Sequence, residues 1–191
     1  MLAGMLKDEL VERNREHPSE SYLFSCPGVY PMTKYANRQH EIDCGDVFVS
    51  IMNTGKLQYW DALWQEDEKS IKNDYRVWYD RRFQFDDKLF FLEVDRGTED
   101  LESFEKKIKK YLKLAQDHPH VKWYVLITIQ GYRQTAPKRA QNIAGVLERL
   151  NVAPFHYLIG FHEHVLTDAL GKVWSTWKKP LDQLSLTDLN S

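Results

Sequence analysis

The chain has 191 residues, of which 42% are hydrophobic and 13% are aromatic, and its formal net charge at pH 7 is −2. This size is typical of one globular domain, or of one domain with a small appendage. The nearly balanced charge excludes a protein that is basic over its whole surface, so DNA binding would require a local basic patch.

The chain contains two cysteines, Cys26 and Cys44, and their spacing matches neither a zinc cage nor a disulfide framework. The apolar runs are too short to span a membrane, and the N-terminal sequence MLAGMLKDELVERN lacks the apolar core of a signal peptide. We therefore expect a protein of the reducing cytoplasm that does not associate with a membrane.

The first part of the chain predicts two helices separated by irregular structure. Residues 1–16 are rich in charge and predict a short helix, whereas residues 17–33 contain three prolines and predict irregular chain with one short strand. A longer helix is predicted from about Lys34 to Asn53, and Thr54 and Gly55 end it. Residues 57–65, LQYWDALWQ, then predict a first strand.

The segment RVWYDRRFQFDDKLFFLEVDRG, residues 76–97, predicts a β-hairpin because two strand-like runs flank the two-residue turn Asp86-Asp87. Alternate side chains of a strand share a face, so Phe91, Glu93 and Asp95 lie on one face of the second strand. Its other face is apolar. Buried carboxylates are costly unless they are paired or bind a metal ion, so these acids predict a site.

The rest of the chain alternates helices and strands. Thr98 is the predicted N-cap of a helix that runs to about Gln116, and residues 121–130 predict a core strand. A helix from about Pro137 to Leu150, a strand over 154–161 and an edge element at GKVWSTW (171–177) complete the pattern. The order predicts a mixed α/β fold, with a central sheet flanked by helices.

The predicted hairpin brings three carboxylates together. With a turn at 86–87, paired residues sum to 173, so Asp80 lies opposite Glu93 and on the same face. Asp95 follows two residues later on that face. Three close carboxylates repel one another unless a cation lies between them, and oxygen ligands favour Mg²⁺ or Mn²⁺. The sequence therefore predicts a magnesium or manganese site at Asp80, Glu93 and Asp95.

An alternative to a metal site is an ion pair, in which Glu93 or Asp95 contacts a nearby arginine, namely Arg81, Arg82 or Arg96. A lysine on the helix after the hairpin could also reach the site. On the helical wheel, Lys107 and Lys109 lie at opposite margins of the apolar stripe, and the spacing does not choose between them.

A basic and aromatic segment follows the core strand and opens the next helix. Such a segment at a strand end suits contact with DNA phosphates, and Arg133 is its strongest single candidate. The predicted DNA-binding residues are Arg96, Arg133, Lys138 and Arg139.

Histidines give weaker indications. His162 and His164 would share a face only in an extended segment, and nothing else in the sequence completes a zinc site with them. His40, with Asp43 and Asp46 on the same predicted helix, could line the cleft of the hairpin acids or serve as a cap or in a salt bridge.

The stretch FFLEVDRGTEDLESFEKKIKKYLKL, residues 90–114, resembles the signature of the replication-relaxation family, in which an E-x-D-R-G-T strand end leads into a helix with a K-x-x-x-Y pair. Flanking segments extend the resemblance over roughly residues 35–180. It implies that the family positions are Asp80, Glu93, Asp95, Arg96, Lys107 and Tyr111. Tyr79 stands where the family has a proline before Asp80.

The same pattern also resembles the PD-(D/E)XK nuclease core, which implies a restriction-endonuclease-like fold. In that fold the motif ends in E-x-K, whereas Asp95 occupies the lysine position here. Lys107 could supply the missing positive charge from the helix. The resemblance thus implies Asp80, Glu93, Asp95 and Lys107 as catalytic residues of a metal-dependent endonuclease.

The family resemblance implies a DNA-processing role in the replication of plasmids or other mobile elements. DNA is the expected partner, with replication or mobilisation proteins and a homodimer as further candidates. Members usually begin with a winged-helix domain, so residues 1–33 are expected to be an arm or remnant of one, and residues 34–191 the nuclease-like domain. Two further interpretations stay open: a non-catalytic DNA- or protein-binding accessory factor, and an assembly protein that binds through its aromatic residues.

Overall fold

The computed structural model describes residues 12–14, 23–25, 35–57, 59–61, 79–131, 135–153 and 156–189. The chain divides into two units, Met1–Gln39 and His40–Ser191. In the first unit, β1 (Glu12–Asn14) pairs in antiparallel fashion with β2 (Leu23–Ser25). The helix predicted over residues 1–16 is therefore wrong at residues 12–14, and the rest of that prediction lies outside the described residues.

The remaining elements follow the predicted order of helix, three strands, helix, strand, helix and strand. They are α1 (Tyr35–Met52), β3 (Tyr59–Asp61), β4 (Arg81–Phe85), β5 (Lys88–Asp95), α2 (Leu101–Asp117), β6 (Trp123–Ile129), α3 (Ala136–Arg149), β7 (Tyr157–Phe161), α4 (His162–Thr167), β8 (Trp174–Thr176), β9 (Lys179–Leu184) and a 3₁₀ turn (Leu186–Asp188). The short helix α4 and the strand β9 were not predicted.

In the described part of the chain, seven strands form one mixed sheet in the order β3-β4-β5-β6-β7-β8-β9. The three central strands β5, β6 and β7 are parallel, and the flanking pairs are antiparallel. The parallel strands are connected through α2 and α3, since a parallel connection needs a crossover. The predicted α/β class, with a mixed sheet flanked by helices, is confirmed. Residues 171–177 were predicted to form an edge element. This prediction is wrong, because their strand β8 lies inside the sheet, between β7 and β9.

The helices bury apolar side chains on both faces of the sheet. Phe104 and Ile108 of α2 pack, together with α3, against the face that carries Phe91 of β5. On the opposite face, Val47 and Ile51 of α1 belong to the cluster that contains Phe90. The predicted alternation of β5 is confirmed, because successive residues of this strand belong to different layers.

The hairpin has the predicted register. Arg81 pairs with Leu92 and Phe85 pairs with Lys88, and each pair sums to 173. Asp86 in the turn has a φ of 51°, a conformation that Asp tolerates better than most residues. The backbone N–H of Asp80 donates to the carbonyl of Leu92 at 3.1 Å, which holds Asp80 beside the end of β5.

The N-cap of α2 differs from the prediction. Asp100, not Thr98, is the cap, because its Oδ1 accepts a hydrogen bond from the backbone N–H of Ser103 at 2.7 Å. Gly97, with a φ of 72°, turns the chain before the helix begins. Within the described part of the chain, the helices are all too short or too polar to cross a membrane.

Candidate functional site

A cleft of about 180 Å³ lies at the carboxyl end of β5, where the chain leaves the sheet toward α2. The hairpin contributes Asp80 and Glu93, and α2 contributes Lys107. The polar and charged side chains that line the cleft are His40, Asp80, Glu93, Asp95, Arg96, Thr98, Glu99 and Lys107. The structure thus brings the four residues that the sequence predicted as one site into one cleft: Asp80, Glu93, Asp95 and Lys107.

Glu93 is held by two side chains of α2. Its residue surface is only 2% exposed. The Lys107 ammonium donates to Oε2 at 2.7 Å, and the Tyr111 hydroxyl donates to Oε1 at 2.5 Å. Residues four apart on a helix share a face, so α2 presents both donors to β5 together.

The structure also decides between the two candidate lysines. Lys107 reaches Glu93, and its ammonium lies 3.4 Å from Glu99 Oε2. Lys109 forms an ion pair with Glu105 at 2.7 Å on an exposed part of the same helix. Lys107 is therefore the lysine of the cleft. Glu99 was not predicted as a site residue, because it precedes the helix and no helical spacing relates it to Lys107.

Burial sets the charge state of this cluster. It raises the pKa of Glu93 from its usual 4.5 to about 7, although Lys107 favours the charged form. Burial opposes the charged form of Lys107, yet Glu93, Asp80 and Glu99 together raise the pKa of this lysine. Burial, and then the Glu93 carboxylate, raise the pKa of Tyr111 well above its usual range. Glu93 can therefore gain or lose a proton near neutral pH while Lys107 stays charged.

Asp80 stays ionised beside Glu93. Its Oδ2 accepts from the backbone N–H of Val94 at 2.6 Å, and its Oδ1 lies 2.9 Å from His40 Nε2. Burial is the largest single effect and disfavours the charged form, but His40, Lys107 and the Val94 N–H together outweigh it and lower the pKa of Asp80. Asp80 in turn raises the pKa of His40 against the effect of burial. His40 thus both lines the cleft and forms a salt bridge, the two roles that the sequence left open.

Asp95 has a different environment. Its Oδ1 accepts from the backbone N–H of Gly97 at 2.6 Å. The Arg139 guanidinium donates from Nε to both carboxylate oxygens at 3.1 Å and from Nη2 to Oδ2 at 2.8 Å. Arg139 also donates to the carbonyl of Glu99, and only 2% of its surface is exposed. This pair joins β5 to α3.

Two predicted roles need correction because of this ion pair. Asp95 was predicted as the third metal ligand, but Arg139 and the Gly97 N–H occupy its oxygens. Arg139 was predicted to contact DNA, but its guanidinium is buried against Asp95. The sequence suggested an ion pair between Asp95 and a nearby arginine, namely Arg81, Arg82 or Arg96. The actual partner lies 44 residues away in sequence, and no local pattern could have identified it.

The other predicted DNA contacts are at or near the surface where they are described. Lys138 is exposed in the first turn of α3. Arg96 lines the cleft, and its Nε lies 3.2 Å from Asp43 Oδ2. Arg133 lies outside the described residues. Arg81, a predicted partner of the hairpin acids, forms its ion pair with Glu41.

The histidines His162 and His164 do not form a common site. Both lie on α4, where residues two apart point in different directions. His162 is buried, with Nδ1 3.4 Å from Thr128 Oγ1, whereas His164 is exposed. The sequence reasoning predicted this divergence for a helical segment.

The donors in the cleft suit a hard divalent cation. Asp80 and Glu93 supply carboxylate oxygens, the ligands that Mg²⁺ and Mn²⁺ prefer. Each carboxylate has about four lone-pair sites and two polar partners, so capacity for a metal ion remains. The partners are Tyr111 and Lys107 for Glu93, and the Val94 N–H and His40 for Asp80. Lys107 competes with a cation for Glu93, because its ammonium already contacts that carboxylate.

Comparison with known proteins gives one match. A family model described as replication-relaxation matches residues 29–128, just over half of the chain. The matched residues run from before α1 into β6 and include Asp80, Glu93, Lys107 and Tyr111. Searches of curated proteins and of solved structures give no match.

Proposed function

The chain belongs to the replication-relaxation family, and we propose that it processes DNA during the replication of a plasmid or another mobile element. Its site of action would be the cytoplasm, where such DNA replicates, and replication or mobilisation proteins would be its further partners. The cleft at the end of β5 would act directly on the DNA backbone.

Within this role, we propose that the cleft cleaves a DNA phosphodiester bond with the help of a divalent cation. One observation carries the proposal: Asp80 and Glu93 of the hairpin converge in one cleft with Lys107 of α2. Two acids and a lysine at a strand end resemble the PD-(D/E)XK arrangement. The lysine comes from α2 instead of β5, and its position in space is what the chemistry requires.

The side chains of the cleft would divide the work. Asp80 and Glu93 would hold Mg²⁺ or Mn²⁺, which when bound lowers the pKa of water and stabilises charge on a phosphate. Lys107 would donate hydrogen bonds to the scissile phosphate, because its ammonium is partly exposed in the cleft. Tyr111 would hold the Glu93 carboxylate in one orientation through its 2.5 Å hydrogen bond.

DNA would approach the end of the sheet where the carboxyl ends of β5 and β6 lie, beside the cleft. Lys138 is exposed in the first turn of α3, which follows the carboxyl end of the neighbouring strand β6. Arg96 lies in the cleft itself. Arg133, in the connection between β6 and α3, remains a proposed phosphate contact. These cations would bind the DNA backbone and hold it over Glu93.

The test compares the initial rates at which the wild type and Lys107→Met convert supercoiled plasmid to its nicked form. Lys109→Met is the matched control. Both lysines lie on α2, and Lys109 forms an exposed ion pair with Glu105. The wild type should nick the plasmid in Mg²⁺ or Mn²⁺ and not in a chelator. Lys107→Met should lower the initial rate about a hundredfold, because it removes a donor to the developing phosphate charge.

The control, Lys109→Met, should retain the wild-type rate. Two results would overturn the proposal: no metal-dependent nicking by the wild-type protein, or equal losses in the two lysine variants. The first result would favour a second candidate function.

That second candidate is a non-catalytic accessory factor that keeps the fold and binds DNA or a replication protein. A specific observation favours it: Lys107, Tyr111 and Arg139 already hold the two β5 acids without a metal ion. The acids would then serve only to join the sheet to α2 and α3. DNA binding by the wild type without any metal-dependent nicking would be its signature.

A further inference from the structure

We propose that His40, Cys44 and Asp80 form a second metal site, selective for a thiophilic divalent cation such as Zn²⁺. Among the described residues, one donor atom from each of these three side chains lies within 4.8 Å of the other two. The site shares Asp80 with the proposed Mg²⁺ site but adds an imidazole and a thiolate from α1. It goes beyond the proposed DNA cleavage, because its metal binding does not depend on nuclease activity.

The helix α1 places two of the donors. His40 and Cys44 are four residues apart, so both project from one face of the helix. The Cys44 Sγ lies 3.8 Å from His40 Nε2. Asp80 comes from the segment that leads into β4, and its Oδ1 lies 2.9 Å from the same nitrogen. The hairpin thus brings the third donor to a helix face that already carries two.

The separations are close to those of a tetrahedral zinc site. Zinc bonds of about 2.0–2.3 Å place neighbouring ligand atoms about 3.3–3.6 Å apart. The separations of 2.9 Å and 3.8 Å lie on either side of that range. Side-chain shifts of a few tenths of an ångström would therefore convert these two contacts into metal ligation.

The chemistry of the donors determines which cation would bind. A thiolate and an imidazole favour zinc and other first-row transition metals, whereas Mg²⁺ prefers an all-oxygen site such as Asp80 with Glu93. Binding would replace the proton shared by His40 and Asp80, and the Cys44 thiol would release its proton to solvent. The cation would enter from the cleft, because His40 and Asp80 both line it.

A purely structural account of these residues is the competing explanation. In it, His40 and Asp80 form an ion pair, and Cys44, which is fully buried, only fills the core beneath α1. The two accounts differ in one observable: only a metal site produces a bond between the Cys44 sulfur and a divalent ion.

Titration of the reduced full-length protein with Co²⁺ tests for that bond, because a cobalt–thiolate bond gives a charge-transfer absorption band in the near ultraviolet. The wild type should show the band, and an excess of Zn²⁺ should abolish it. Cys44→Ser should lose the band. Cys26→Ser, which alters the other cysteine of the chain, should keep it.

Two further variants keep the test decisive. His40→Gln changes a partly exposed side chain and should weaken Co²⁺ binding at least tenfold, roughly the loss expected when a metal site is disturbed. This variant still tests the metal site if Cys44→Ser, which changes a buried position, folds poorly. Glu93→Gln should keep the band, so a protein that fails to nick DNA can still carry this site. A wild type without the band, or a band that persists in a folded Cys44→Ser protein, would overturn the proposal.

Discussion

Glu93 and Asp95 lie two residues apart on one face of β5, but their side chains are neutralised in different ways. A guanidinium fork and a backbone N–H hold Asp95. An ammonium and a phenol hold Glu93, whose pKa burial raises to about 7. Asp95 is therefore fixed between β5 and α3, whereas Glu93 can exchange a proton near neutral pH.

The raised pKa of Glu93 predicts a specific dependence of stability on pH. A carboxyl that holds its proton more tightly in the folded state loses stabilising free energy as pH rises from its unfolded pKa, 4.5, through its folded pKa of about 7. Between about pH 5 and about pH 8, the free energy of unfolding should fall by on the order of 2–3 kcal/mol through this group alone.

Urea unfolding of the wild type and of Glu93→Gln at both pH values measures this effect. Asp80 and the other acids are common to both proteins, so their contributions cancel in the difference. The wild type should lose more stability than the variant on going to the higher pH. Parallel pH profiles would show that Glu93 does not titrate in this range.

At the scale of secondary structure, the elements that the sequence predicted are those with strong local signals. The hairpin follows from a two-residue turn and an alternating pattern, and α2 follows from an apolar stripe that includes Phe104 and Ile108. The strand β9, KPLDQL, contains a proline and shows little apolar alternation. Both features are tolerated because β9 lies at the edge of the sheet. Edge strands need less apolar surface, so their sequences predict them poorly.

The sequence predicts the contacts of the candidate site that lie within the hairpin, but not the contacts that the hairpin makes with the helices. The turn length and the strand register are enough to place Asp80 opposite Glu93. The choice between Lys107 and Lys109 required the position of α2 on the sheet, which a helical wheel does not contain. The partnership of Asp95 with Arg139 required the position of α3 as well. Contacts between elements distant in sequence depend on packing, and one sequence gives no direct signal of them.

The ion pair between β5 and α3 should contribute strongly to stability. Arg139→Met leaves the Asp95 carboxylate buried without its main partner and should cost roughly 3–5 kcal/mol of unfolding free energy. Urea unfolding measures the loss. Lys138→Met is the matched control, since Lys138 is the exposed neighbour in the same helical turn, and its stability should stay near that of the wild type. Equal stabilities of the two variants would show that the buried pair is not important for folding.

At the scale of the whole molecule, the proposed DNA surface is local. The net charge of −2 gives no general attraction to a polyanion, so binding must depend on the few cations beside the cleft. Each phosphate contact that is lost should reduce the slope of log affinity against log salt by about 0.9.

Lys138→Ala should therefore reduce the magnitude of that slope by about 0.9, the value of one phosphate contact. Lys122→Ala is the control, because Lys122 precedes β6 at the other end of the strand and forms an ion pair with Asp87. Fluorescence anisotropy with a labelled duplex over a salt series measures both slopes. Equal slopes in the two variants, or no binding at low salt, would contradict the proposed surface.

The rate of Mn²⁺-dependent plasmid nicking by Glu93→Gln tests the proposed metal-dependent cleavage most directly. The change preserves the shape of the side chain and its hydrogen bond with Tyr111 but removes a negative charge that the cation needs. The rate should be at least about a hundredfold below that of the wild type, since loss of a metal ligand removes several kcal/mol of transition-state stabilisation. The metal-free stability of the variant at neutral pH should equal that of the wild type or exceed it. A wild-type protein that does not nick DNA in Mn²⁺, together with a marked loss of metal-free stability in Glu93→Gln, would contradict the proposed cleavage.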